Sequence, residues 1–134
     1  MVYARVSLAH KDMEPELQCF DAQTRKAEGF GELKGGFIVR CSLKMCREYV
    51  VLCPLKIVVV MHLSSLLDSK HYLLPLVGSR FPFEAAVGMN GRIWVSAKET
   101  KQTIALARCI EASDSDGGAL DEVGLKSFLD TLDV

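Results

Sequence analysis

At 134 residues the chain is long enough for one compact domain, or for one small domain plus part of another, and too short for more. Hydrophobic residues at 49% and charged residues at 25% exclude an intrinsically disordered chain. Lys and Arg number 16 and Asp and Glu 17, so a formal charge of −1 excludes a global pull toward nucleic acid or an anionic membrane, and any such contact has to come from a local patch or from partner subunits.

Residues 1–5 (MVYAR) run straight into an alternating pattern, so no cleavable signal sequence is expected. Residues 2–9 place Val2, Ala4, Val6 and Leu8 on one side and Tyr3, Arg5 and Ser7 on the other, the pattern of a half-buried strand. Residues 11–16 form a polar turn with Pro15, and residues 17–20 read as a short returning strand. Two strands and a turn cannot bury a core alone, so the chain is expected to enter in mid-domain. Gly29, Gly31, Gly35 and Gly36 suggest a flexible connector between two units.

Residues 37–41 (FIVRC) are the next strand, and Ser42 can cap a helix in which Leu43, Cys46 and Val50 share a face. Residues 51–72 are ambiguous: 57–61 is β-branched and strand-like, whereas 63–67 could be helix. The apolar run 49–67 is interrupted by Pro54, Lys56 and His62, which argues against a membrane span. Residues 83–87 form a strand, Asn90-Gly91 is a strong hairpin signal, and 93–97 return. On the return strand Ile93, Val95 and Ala97 face one way, and Arg92, Trp94 and Ser96 the other. A helix over about 100–111, started by a Ser96-x-x-Glu99 box or by Thr100, buries Thr103, Leu106, Ala107 and Ile110. A polar loop covers 113–118. A last helix over 120–132 buries Leu125, Phe128, Leu129 and Leu132.

Chemistry is thinly represented. His10, His62 and His71 sit in no nucleophile motif, so no catalytic residue is assigned. Cys41, Cys46 and Cys53 with His62 have zinc-ligand types but not the short paired spacing of a structural zinc site, and no metal or other cofactor is expected. With Cys19 and Cys109 they form an odd set of five without a CxxC, which fits free thiols in a reducing compartment. Asp114, Asp116 and Asp121 lack the glycine and glutamate positions of a calcium loop. The glycines of 29–36 lack the lysine of a phosphate cradle. Gly88, Met89, Asn90 and Gly91 form a GxxG tetrad. A KH domain uses such a tetrad between two helices to grip RNA backbone, but here it lies between strands and reads as a structural turn. Arg92 and Trp94 beside it could stack on a base, or Trp94 could anchor a neighbouring domain.

VYARV at 2–6, KDMEPEL at 11–17 and GMNGRIWV at 88–95, with QTIALA at 102–107 and Glu111-Ala112, closely resemble the RNA-exosome cap-subunit family known as exosome component 3, or ribosomal RNA-processing protein 40. The resemblance implies an α+β chain: the terminal strands of an incomplete S1 (OB-like) barrel over 1–28, a Gly-rich linker over 29–36, and a KH-type domain over 37–134 carrying the GxNG hairpin. Residues 48–73 look like an insertion relative to that family, apart from LPLVG at 74–78. The family's caps sit on a ring of inactive RNase-PH-like subunits and line the RNA entry, while a separate subunit performs hydrolysis. The implied role is therefore a non-catalytic scaffold for 3′-to-5′ RNA processing and decay, with ring and other cap subunits and RNA as partners and no membrane. The family's use in the nucleus, nucleolus and cytoplasm comes with it, although no basic localisation run appears here. Its tetrad, here Gly88 to Gly91, is expected to be buried between the S1 and KH domains, with Trp94 packing between them. Arg92, Lys98 and Lys101 are candidates for RNA or subunit contact. A stand-alone single-strand RNA-binding module, a small enzyme or metal protein built on Cys41, Cys46, Cys53 and His62, and a splice product that cannot assemble are the alternatives.

Overall fold

The computed structural model describes residues 1–52, 73–114 and 122–131. The expectations for 53–72, including the strand or helix within the apolar run, therefore lie outside the described residues. So do most of the 113–118 loop and Leu132. No helix among the described residues is long and apolar enough to cross a membrane.

The N-terminal alternation does not make one strand. It divides at Ala4 into β1 (Val2–Tyr3) and β2 (Arg5–Leu8) because the run changes partners there. β2 pairs antiparallel with β3 (Glu16–Gln18), and β1 pairs with β4 (Gly31–Glu32). The faces also differ from a simple apolar-in pattern. Val6 and Leu17 oppose each other across β2 and β3, yet stay 57% and 65% exposed, because no described element covers that side. Tyr3, on the other side, stacks on Phe30 with ring centroids 5.0 Å apart. Arg5 donates to the Phe20 carbonyl at 3.1 Å and to Gln18, with its guanidinium over the Phe20 ring. The turn after β3 closes on buried Asp21, whose Oδ1 accepts from the Gln23 and Thr24 amides at 2.7 and 2.9 Å, an Asx-type turn.

The second unit is a three-stranded antiparallel sheet in the order β5 (Phe37–Arg40), β7 (Arg92–Ala97), β6 (Phe83–Gly88). Among the described residues, four helices share its core: α1 (Leu43–Leu52) and α3 (Thr100–Ser113) lie against the strands, and α2 (Leu73–Gly78) and α4 (Glu122–Thr131) lie against α3 and each other. Strand alternation selects one face for the core. Val39, Phe83, Ala85, Val87, Ile93 and Val95 point into it, and meet Met45 and Cys46, Leu74 and Val77, Leu106 and Ile110, and Leu125 and Leu129 from the helices. Such mutual burial contributes roughly 1.5–3 kcal/mol per large aliphatic side chain.

The α3 stripe expected from the 3.6-residue period is buried as anticipated, with Ala105 and Cys109 added. The Glu99 amide donates to Gln102 Oε1 at 3.3 Å at its start. Ser42 caps α1 by accepting from the Met45 amide at 3.1 Å. Leu43, expected on the buried face, is instead 51% exposed, because Met45 and Cys46 are the residues that point into the core. The two oxygens of Asp114, just past α3, accept from the Ser42 amide and hydroxyl at 2.5 Å each, joining the end of α3 to the start of α1. Arg80 pairs with Asp130 of α4 at 2.5 Å; both are substantially exposed, so the pair contributes at most about 1 kcal/mol.

Candidate interface at the hairpin and the sheet's outer face

The outer face of the sheet, away from the helices, carries the residues of interest. Trp94 points there from the middle of β7 and is buried with Ala86, its partner on β6, beneath Tyr3 and Leu33 of the N-terminal unit. Its Nε1–H donates to the Gly35 carbonyl at 2.9 Å. Tyr3 completes the seam by donating its hydroxyl to the Val87 carbonyl at 3.1 Å. Burial pushes that phenol up to about 12. The residues between the units are thus held rather than free. Gly31 lies in β4, and Gly36, at φ +70°, lies so close under the indole that a Cβ would come within 2.6 Å of Trp94 Nε1.

The tetrad forms the turn between β6 and β7. The last rung pairs Gly88 with Arg92, so the loop is the three residues Met89, Asn90 and Gly91. The expected Asn-Gly turn needs positive φ at both residues, and only Gly91 has it, at +74°. This is the three-residue alternative, in which one left-handed residue closes the hairpin. Gly88 serves another purpose: a Cβ there would meet Asn90 Oδ1 at 2.5 Å, so the Asn side chain folds over a position that admits only hydrogen. At Gly91 a Cβ would meet the Cys41 carbonyl at 2.9 Å, and the Cys41 amide donates to the Gly91 carbonyl at 3.0 Å. The turn is therefore laced to the end of β5. It is not enclosed between the units, however, as Met89 is 58% exposed and Asn90 is exposed. The seam closes over Trp94, two residues up the strand from the Gly88–Arg92 rung, and leaves the turn outside it.

The three basic candidates separate. Arg92 stands at the hairpin end of β7, whereas Lys98 follows the far end of that strand and Lys101 lies in the first turn of α3. Five strand steps alone span about 17 Å. Arg40 on β5 pairs directly with Arg92 and is exposed, a neighbour that local sequence could not supply because it depends on strand register. Cys41 and Cys46 bring their sulfurs to 3.1 Å. Burial, with the hydrogen bond to Cys46 and the charges of Cys46 and Asp114 adding to it, pushes the Cys41 thiol up to about 12. Cys53 and His62 lie outside the described residues, and among those described no three donors assemble a metal site.

Comparison with known proteins agrees with this architecture. A family model for the S1 domain of exosome complex component RRP40 matches residues 1–31, and a KH domain model matches residues 36–101. The chain is 45% identical to exosome complex component rrp40 of Schizosaccharomyces pombe over 82% of its length, covering 39% of that protein. It is 32% identical to the RRP40 component of Saccharomyces cerevisiae over its whole length, covering 50% of that protein. It is 34% identical to the Homo sapiens RRP40 component over 85% of its length, covering 35% of that protein. The chain thus spans half or less of these relatives. Among solved structures, an exosome complex RNA-binding protein superimposes over 98% of the chain and 61% of its own at a TM-score of 0.58 and 20% identity, a likeness of fold.

Proposed function

Because the chain belongs to the family of exosome complex component RRP40, we propose that it acts as a non-catalytic cap and scaffold element of the RNA exosome, docking on the ring and helping to shape the RNA entry for 3′-to-5′ processing and decay. The observation that carries this reading is the seam. Trp94 and Tyr3 tie S1-type strands to the outer face of a KH-type sheet, so the two units form one shaped body of the kind a scaffold needs. Its partners on this reading are RNase-PH-like ring subunits, the other cap subunits and RNA, and its places of work are the nucleus, the nucleolus and the cytoplasm.

The test is reconstitution. The chain is mixed with the exosome ring and the other cap proteins, and size-exclusion chromatography follows whether it co-elutes. Co-elution is expected. Failure to co-elute, with a longer relative docking under the same conditions, would overturn the scaffold role for this chain.

A further inference from the structure

The register of β5 and β7 sets two arginines directly opposite one another, since Arg40 pairs with Arg92 in the last rung before the hairpin turn. Opposed residues on neighbouring strands hold their Cβ atoms about 4.5–5.5 Å apart, where like charges repel. Both side chains are exposed, and among the described residues no carboxylate forms an ion pair with either. Alternation places them on the outer face, because Val39 and Ile93 beside them turn into the helical core. The third position in the rung is Gly88, which adds no side chain to cover them. The acidic residue of that face on β6, Glu84, is four positions from Gly88 along the strand, about 14 Å away. The bond from the Cys41 amide to the Gly91 carbonyl fixes the rung, so the arginines cannot separate by fraying.

A rigid rung that holds two guanidiniums together costs repulsion, and an anion bridging both offsets it. Phosphodiester oxygens have the right chemistry, because they accept the paired N–H donors of a guanidinium fork, and successive phosphates need neither a groove nor a pocket. Ile38, 39% exposed in the next rung but one of the same face, gives the adjoining sugar or base an apolar surface. We infer that Arg40 and Arg92 together hold backbone phosphate of single-stranded RNA on the outer face of the sheet, beside the hairpin. The inference rests on the RNA-entry reading above and gives that reading a place on the surface.

The experiment measures binding of the full chain to a labelled single-stranded RNA by fluorescence anisotropy across 50–200 mM salt. It compares the wild type with Arg40→Gln/Arg92→Gln and with Lys98→Gln/Lys101→Gln. For single strands log K falls with log salt by about 0.7 per phosphate neutralised, so losing two contacts is expected to lower the slope by about 1.4 and to weaken low-salt binding about tenfold. The lysine pair should change the slope little. Melting temperature separates this from a structural role: the arginine variant relieves repulsion and should melt no lower than wild type. An unchanged slope in the arginine variant, with wild type still binding, overturns the clamp and leaves the RNA-entry reading standing. Wild type that shows no salt-dependent RNA binding overturns the clamp and direct RNA contact together, and the co-elution test still decides docking. An acidic peptide of equal charge that displaces the RNA at equal concentration would assign the pair to protein carboxylates and also overturn the inference.

Discussion

Substituting alanine for Gly36, and separately for Gly35, asks how the seam is held. Both glycines have left-handed backbone, at φ +66° for Gly35 and +70° for Gly36, so each alanine carries a conformational cost of about 1–2 kcal/mol. They differ in surroundings. Nothing lies within 4 Å of a Cβ at Gly35, whereas one at Gly36 would sit 2.6 Å from both Trp94 Nε1 and the Val95 carbonyl. Indole and strand must yield, and forcing an extra methyl into packed surroundings typically adds about 1–3 kcal/mol. Gly35→Ala is therefore expected to cost about 1–2 kcal/mol and Gly36→Ala about 2–5 kcal/mol, with the difference isolating contact against Trp94. Urea unfolding followed by circular dichroism gives the stabilities. Emission of the chain's single tryptophan reports the seam, and should move to the red in Gly36→Ala alone. Equal stabilities and equal emission in the two variants would refute the packing and return residues 29–36 to the status of a loose spacer.

Two further outcomes follow from the same geometry. Gly91→Val puts a β-branched residue at φ +74° against the Cys41 carbonyl; it should destabilise by at least about 2 kcal/mol, and a melting temperature equal to wild type would show that the turn is not structural. Alkaline pH should weaken the fold. The Tyr3 phenol, raised from 10.0 to about 12, and the Cys41 and Cys109 thiols, raised from 9.0 to about 12 and 11, stay protonated longer in the folded chain, so the stability they contribute is complete below pH 9 and is lost as pH rises toward 12. Tyr3→Phe should lower stability at neutral pH by about 1 kcal/mol through the lost bond to Val87 and flatten the loss above about pH 10, as read from urea midpoints at about pH 8–11.

What could be foreseen from sequence was what local pattern encodes. Alternation and Asn90-Gly91 located β6 and β7 and assigned Ile93 and Val95 to one face and Trp94 to the other. Helical periodicity found the buried stripe of α3, and Ser42 announced a cap. The rest depends on separation along the chain. Asp114 caps a residue 72 positions earlier, and Tyr3 donates to a carbonyl 84 positions later. The pairing of Arg40 with Arg92 exists only once strand register is set. The N-terminal alternation misled because a change of pairing partner at Ala4 leaves no trace in hydropathy. The glycines of 29–36 suggested looseness, although Gly36 lies close under the indole and the Gly35 carbonyl accepts its N–H.

β7 is a wall shared by two rooms. Its odd-numbered residues Ile93 and Val95 furnish the helical core, and between them Trp94 furnishes the seam with the N-terminal unit. A slip of one residue in the hairpin would therefore exchange both sets at once, driving the indole into the helices and leaving two aliphatic side chains under Tyr3. A misregistered hairpin loses both cores, so no half-correct state survives to compete with the native one. The three-residue turn at Met89, Asn90 and Gly91, which fixes that register, thus guards the fidelity of the whole chain's folding from a position that touches neither core.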